Sequence, residues 1–310
     1  MRLTRAAFAL LLLCLISACV TGPIDCELHI VAQTPIEMNS RLMTVQVGIK
    51  GVWTTLLVDT GAERTILSEE ATARLGLVRD PRRLTRSSGM GGVYEAHDAI
   101  IPGLVIGGKR FPLERVAVGQ LRFGQGLTAD GLLGSDVLLG YDLDIDVPKR
   151  TLSLYRARRC PDVEPPWKEP SARVPGVRAV KDRLLIPVEV DGAIGMGILD
   201  TGAQATTLGG KMAVRLGLTA ADMAADPIVR HHGAGPGTQE SRLHQFSYLK
   251  IGPVRATRPL LSVLPIDIGA GDALVGQDFI NGRRIWMSFT SREVFIATTR
   301  PDLPAVGNAP

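Results

Sequence analysis

The chain has 310 residues, of which 45% are hydrophobic but only 5% aromatic, with 34 glycines and 20 prolines. That length allows two modest domains, with aliphatic cores and short strands joined by many turns. The 35 basic residues include Arg2 and Arg5 near the start; without those two, 33 face 31 acidic ones, an excess too small to imply nucleic acid or another polyanion as partner.

The first residues read as a targeting segment. Met1 to Arg5 is positively charged, and Ala6 to Ile16 is apolar but too short to span a bilayer. Residues 1–18 are therefore expected to be a signal peptide. Ile16-Ser17-Ala18-Cys19 resembles a bacterial lipobox, which would make Cys19 the lipidated first residue; an ordinary signal peptide cleaved after a small residue is the alternative. With Cys14 lost in the leader and Cys19 lipidated, Cys26 and Cys160 remain, an even pair in an oxidising compartment. They bracket the first half of the chain, so a disulfide between them is expected; two free thiols are the alternative.

Residues 19–38 read as a tether running into an entry strand. Alternation from Met43 to Ile49 predicts a strand, Lys50-Gly51 a turn, and Trp53 to Val58 a second strand that feeds Asp59. Ser68 is a candidate N-cap, with Glu69 and Glu70 in the first turn of a short helix that Gly76 stops after Leu75. A glycine cluster follows at Ser88-Gly89-Met90-Gly91-Gly92-Val93. Pro161, Pro165, Pro166, Pro170 and Pro175 mark an extended linker over 159–180. The pattern then recurs: a strand from Leu184 to Val190, a turn at Asp191-Gly192, a strand to Leu199, a helix to Leu216, and Gly217 as its stop. A second glycine cluster lies at His232 to Gly237, and residues 300–310 form a loose tail. The halves are thus 39–158 and 181–299.

The recurrence is a true internal repeat. Asp59-Thr60-Gly61-Ala62 returns as Asp200-Thr201-Gly202-Ala203, each after a hydrophobic run and each followed by Arg-Leu-Gly-Leu, at Arg74 and at Arg215. Asp130-Gly-Leu-Leu-Gly-Ser-Asp136 answers Asp272-Ala-Leu-Val-Gly-Gln-Asp278, and the terminal hairpin from Asp146 answers that from Ser288. Four landmarks in one order, offset by 141 or 142 residues, make a period too long for a solenoid and near the common domain size. One chemistry needs two aspartates from equivalent loops. Two carboxylates a few ångströms apart cannot both ionise easily, so they share a proton. A water between them can then be deprotonated by one and aimed at a peptide carbonyl that the other protonates.

On these two Asp-Thr-Gly-Ala motifs and the two motifs Leu132-Leu133-Gly134 and Leu274-Val275-Gly276, the chain resembles the retropepsin and pepsin type of aspartic protease, over roughly residues 40 to 158 and 181 to 298. Bacterial periplasmic relatives with two fused retropepsin lobes are the nearest pattern. The resemblance implies an all-β fold of two pseudo-twofold-related lobes, each with six or seven strands and a few short helices, around a cleft. It implies a monomer with an intramolecular pseudo-dimer and no cofactor or metal. Asp59 and Asp200 would be the catalytic pair. Thr60 and Thr201 would interlock, and Gly61 and Gly202 would let the loops turn. Gly89, Met90, Gly91 and Gly92 would form a flap over an extended peptide or protein substrate; the second cluster is a weaker candidate, because Pro236 has no amide to donate. The expected activity is endopeptidase, with a non-catalytic peptide-binding module as the alternative. The place is the cell envelope, on the periplasmic side, with the lipid in the outer membrane, since Val20 lacks the acidic character of an inner-membrane signal.

The remaining candidates have plainer readings. Asp136 and Asp278 precede short apolar runs and read as N-caps rather than a second acid pair. His231-His232 reads as an exposed loop pair, His97 and His244 as surface or cleft-edge residues, and no cluster at ligand spacing suggests a metal. Ala62 and Ala203 stand where pepsin-like loops carry a hydroxyl. Fewer donors to the charged form imply raised dyad pKa values, with Glu63 adding in the same direction if its charge lies near the cleft, and a pH optimum of roughly 5 to 6.5.

Overall fold

The computed structural model describes residues 26–123, 127–160, 162–179, 183–269 and 271–298. The expected signal peptide, the Cys19 lipidation site and the C-terminal tail lie outside the described residues. The chain is almost wholly β, organised as one ten-stranded sheet in each half and a six-stranded sheet shared by both. It is a two-lobed, all-β fold, as the resemblance implies. The lobes hold more strands than the six or seven expected, because short strands pair beside the main ones.

Each lobe begins with the hairpin that the alternation predicts. Leu42–Ile49 pairs antiparallel with Val52–Val58 in the first lobe, and Leu184–Val190 with Ala193–Leu199 in the second. Both connect through two residues with positive φ, Lys50 (51°) and Gly51 (78°), then Asp191 (45°) and Gly192 (87°). That turn matches the right-handed strand twist. The strand that leads to each aspartate is flanked by a parallel neighbour, Gly131–Leu133 in one lobe and Ala273–Val275 in the other. These are the apolar motifs of the repeat, and they close each aspartate loop from behind. Helix Glu69–Arg74 is capped as expected, with Ser68 Oγ accepting from Ala71 N at 3.0 Å. Its counterpart Gly210–Arg215 starts on Gly209 with no side-chain cap.

The terminal hairpins leave their lobes and build the shared sheet. Its order is Glu27–Pro35, Thr151–Arg158, Asp142–Asp146, Arg284–Ser288, Glu293–Ala297 and Ser171–Pro175: two strands from each half, flanked by the entry strand and by a strand of the proline-rich stretch. The pseudo-twofold axis passes between Asp142–Asp146 and Arg284–Ser288, which pair antiparallel across the lobe boundary. The proline-rich stretch is extended, as read, but it is not a free linker. Ser171–Pro175 is bound to Glu293–Ala297 along its length, and Val163 is buried beside Tyr155, Trp286 and Phe295. Proline is tolerated there because this strand is an edge.

One aliphatic core runs through both lobes and the shared sheet, built on Val, Leu and Ile such as Val47, Leu133, Leu143, Val188, Val275 and Ile285. Burying each such side chain contributes roughly 1.5–3 kcal/mol. Charge is buried at the lobe boundary as well. Arg284 spans Asp144, at 2.6 and 3.0 Å, and Asp146, at 3.4 Å. Cys26 and Cys160 are joined in a disulfide with Cα atoms 4.6 Å apart, beside the paired ends Glu27 and Arg158. Among the described residues no helix is long and apolar enough to cross a membrane.

Candidate active site

Asp59 and Asp200 sit on the first residues past their strands, and each backbone amide is held by the parallel neighbour: Asp59 N donates to Leu133 O at 3.0 Å and Asp200 N to Val275 O at 2.9 Å. The chain must then turn so closely that a Cβ on Gly61 would strike the Asp200 carboxyl, and one on Gly202 the Asp59 carboxyl. Glycine is required on both sides of the axis because each loop packs against the other's acid. The turn also aims amides back at the carboxylates. Asp59 Oδ1 accepts from Gly61 N (3.0 Å) and Ala62 N (2.8 Å), and Asp200 Oδ1 from Gly202 N (2.9 Å).

The threonines lock the two loops. Thr60 Oγ1 donates to Leu199 O at 2.5 Å and Thr201 Oγ1 to Val58 O at 2.6 Å, while Thr60 N and Thr201 N donate to the opposite hydroxyl at 3.0 and 3.1 Å. Both threonines are buried. Losing one hydroxyl would strand buried backbone groups in the other lobe, a cost of about 1–3 kcal/mol.

Each carboxyl packs against the glycine of the other's loop and each acts on the other's ionisation, so the proton belongs to the pair. Burial pushes Asp59 up to about 8, with the Asp200 charge as the second cause. Asp200 is also raised by burial, but hydrogen bonds from Gly202, Ala203 and Asp59, and the charge of Arg183, pull the other way. The rise agrees in direction with the expectation, and burial is its largest cause. Glu63 is salt-bridged to Arg183 at 3.0 Å, and the charge of Arg183 favours the ionised form of Asp200.

Asp136 and Asp278 are not N-caps. Glycines Gly134 and Gly276 occupy the cap positions without side-chain bonds. Each aspartate instead reaches back to a threonine behind its own dyad loop. Asp136 Oδ1 accepts from Thr65 N (2.8 Å) and Oγ1 (2.7 Å), and Asp278 accepts from Thr206 N (2.8 Å) and Oγ1 (2.7 Å). Thr65 Oγ1 and Thr206 Oγ1 then accept from Gly134 N and Gly276 N at 3.1 and 3.2 Å. Ser135 Oγ and Gln277 Nε2 donate to Thr60 O and Thr201 O. Sequence reading missed these four supports, Thr65, Thr206, Ser135 and Gln277. The signal was present in the paired spacing of Thr65 and Thr206 after their aspartates.

Val78–Gly89 and Gly92–Ile100 form the hairpin expected of the first glycine cluster, with Met90 and Gly91 at its tip. Arg64 ties it to the dyad loop, donating to Asp98 Oδ1 and Oδ2 at 3.1 and 2.8 Å and to Thr85 Oγ1 at 2.9 Å. The second cluster closes a longer loop between Ile228–His231 and Gln239–Gln245, and it meets the first. Gly91 N donates to Ala234 O (2.9 Å) and Gly237 N to Gly91 O (2.7 Å). Gly235 N and Arg122 N bond to Gln120 O and Gly233 O at 3.0 and 3.2 Å. Pro236 has no amide to offer, and its neighbours on both sides donate instead. His231 is part-buried at the foot of this loop, 2.7 Å from Ser241 Oγ, rather than in an exposed pair. His97 lies 3.1 Å from Asp80 O, and His244 pairs with Asp226 at 2.6 Å.

A family model described as aspartyl protease matches residues 45–137 and 186–279. A search of curated proteins found no match. Among solved structures, the chain is similar to an aspartic proteinase from Irpex lacteus, with a TM-score of 0.55 over 88% of this chain and 98% of that one, at 15% identity. That likeness is one of fold.

Proposed function

Because the chain belongs to the aspartyl protease family, we propose that it is an aspartic endopeptidase in which Asp59 and Asp200 act as one catalytic unit. The observation that carries the reading is the packing of each carboxyl against the glycine of the other's loop, on loops interlocked by Thr60 and Thr201 across a pseudo-twofold axis. In the singly protonated pair, the ionised carboxylate takes a proton from a water held between them. The hydroxide attacks the peptide carbonyl carbon, and the protonated partner gives its proton to the carbonyl oxygen. The resulting gem-diol collapses as the leaving nitrogen takes up a proton. No covalent enzyme intermediate forms, and no metal or cofactor is called for by these groups.

The substrate lies as an extended strand between the carboxyls and the hairpin tip at Gly89, Met90, Gly91 and Gly92, with backbone hydrogen bonds for affinity and side-chain pockets for preference. Entry requires the tip to part from the Ala234–Gly237 loop, a change of two backbone hydrogen bonds. Such gating is common where a site must exclude water. We further propose that the enzyme works in the cell envelope, tethered through lipid on Cys19.

The test is hydrolysis of a denatured protein substrate, with mass spectrometry of the products. Turnover that is blocked by a statine-containing peptide and lost in Asp59→Asn and in Asp200→Asn supports the reading. Saturable peptide binding without cleavage by the intact chain would instead make it a binding module, and full activity in either well-folded variant would remove the dyad from the mechanism.

A further inference from the structure

The two first hairpins turn alike, but the residue at the head of the turn differs in charge. In the first lobe Lys50 reaches from its turn to the end of helix Glu69–Arg74, where Nζ donates to Leu75 O and Gly76 O, both at 3.1 Å. In the second lobe the equivalent residue is Asp191, with the same left-handed backbone. The helix it faces ends in the same way. Leu216 N, Gly217 N and Leu218 N donate to Met212 O, Val214 O and Ala213 O at 3.0 Å each, just as Leu75 N, Gly76 N and Leu77 N donate to Ala71 O, Ala73 O and Thr72 O. Even the arginine in the last turn is paired alike, Arg74 with Asp130 and Arg215 with Asp272, each at 2.8 Å.

What differs is the ammonium group. A Cβ built on Gly76 would lie 3.8 Å from Lys50 Nζ, whereas one on Gly217 would meet nothing within 4 Å. Leu75 is buried, while Leu216 stays partly open to solvent. A cavity of about 400 Å³ stands at this place, and its lining includes Asp191, Leu216, Leu218, His244 and Phe246. Arg215 on its wall is neutralised by Asp272, and His244 is held by Asp226 with its ring edge-on to Phe246 at 4.9 Å. Asp191 is fixed by amides of Ser247 and Tyr248 at 2.8–3.0 Å, which leaves its carboxylate charge with no cationic partner among these contacts.

The first lobe thus contains, as its own side chain, the ligand that the second lobe lacks. We propose that the second-lobe cavity binds a primary alkylammonium, namely the side chain of a lysine on a partner polypeptide. The ammonium would donate to the carbonyls at the end of helix Gly210–Arg215, as Lys50 does to its own, and pair with Asp191 by a charge-assisted bond. Leu216, Leu218 and Phe246 cover the apolar stem, the part of a lysine that packs on hydrocarbon. None of the lining residues belongs to the Asp59 or Asp200 loops, so the partner's lysine would sit away from the dyad, and the site stands whether or not the dyad cleaves peptides.

The experiment titrates the full chain with n-butylammonium chloride at constant ionic strength, followed by calorimetry, with tetramethylammonium as the cation that has no N–H. One saturable site for butylammonium and none for tetramethylammonium is expected. Asp191→Lys, which supplies an internal ammonium, should abolish it, and Asp191→Asn should weaken it by about tenfold or more. Lys50→Ala should open a matching second site and lower thermal stability, with butylammonium restoring it. Nα-acetyl-lysine methylamide should bind more tightly than 1,5-diaminopentane; the reverse order would overturn a protein lysine as the occupant. Equal response to both cations, or unchanged binding in a folded Asp191→Lys variant, would overturn the site itself.

Discussion

The two lobes agree where they meet and diverge where they face outward. At the axis, Thr60 and Thr201, Gly61 and Gly202, Thr65 and Thr206, and Asp136 and Asp278 make matching bonds at nearly matching distances. Away from it, Lys50 becomes Asp191, Arg64 gives way to Ala205, and a two-residue hairpin tip is replaced by a seven-residue loop. The agreement has a physical source. Each loop is a wall of the other's binding site for a proton, so a change on one side displaces both carboxyls. No such reciprocity binds the outer turns, and these are free to take different tasks.

Breaking the symmetric part should have the largest effect. Asp59→Asn and Asp200→Asn are each expected to reduce kcat by on the order of a thousandfold or more, because groups that act as a unit fail together. Steady-state kinetics of the two folded variants checks this, and a large inequality between them would mean that the lobes do not share one proton. Next comes the lobe boundary. Arg284→Leu leaves Asp144 buried without its cation, while Asp146 keeps Lys149 at 3.4 Å, and should cost about 3–5 kcal/mol in denaturant unfolding. Arg74→Leu and Arg215→Leu remove bridges whose arginines are exposed, each within one lobe, and should cost less, about 1 kcal/mol each.

The asymmetry can be sharpened at position 64. Arg64→Ala frees the first hairpin from the dyad loop and leaves Asp98, fully buried, paired with the exposed Arg83 at 3.4 Å. Faster hydrogen exchange over residues 84–98 and a KM raised several-fold, with kcat less affected, are expected. Unchanged exchange would show that the tip contacts with Ala234 and Gly237 alone hold the hairpin.

The last comparison concerns ionisation. Asp59 is raised from 3.8 to about 8 in the folded protein, so the native state binds a proton that the unfolded chain has released. Between those values the unfolded state carries fewer protons, and stability falls as pH rises. Asp59→Asn removes that penalty. The melting temperature of the variant relative to the parent should therefore be near its lowest at pH 4 and climb toward pH 8; a flat difference would show that Asp59 ionises normally. For activity, the same rise keeps the shared proton in place toward neutral pH, and Ala62→Ser, which adds a donor to the ionised form, should move the basic limb of kcat/KM downward.

Much of this was readable in the amino-acid sequence because it is local or repeated. Alternating residues from Met43 to Val58 declare a hairpin, Lys50-Gly51 and Asp191-Gly192 declare its turn, and Ser68 declares a helix start. Repetition of Asp-Thr-Gly-Ala with its downstream apolar motif declares two equivalent loops, because chance does not preserve four landmarks at one spacing. The even cysteine pair around the first half pointed to its disulfide for the same kind of reason. Tertiary structure alone decided which distant groups became neighbours. Asp136 and Asp278 looked like caps because a cap is the local use of an aspartate before an apolar run; strand pairing instead set them against Thr65 and Thr206. Ser171–Pro175 looked like a linker because proline cannot serve inside a sheet, yet an edge was available in the shared sheet. The partnerships of Arg284 with Asp144 and of Arg183 with Glu63 join residues 140 and 120 positions apart, and no local pattern distinguishes them from other charged residues. The meeting of the two glycine clusters is of the same kind. Backbone propensity acts over a few residues, whereas burial and charge pairing act between surfaces that exist only once the sheets have packed.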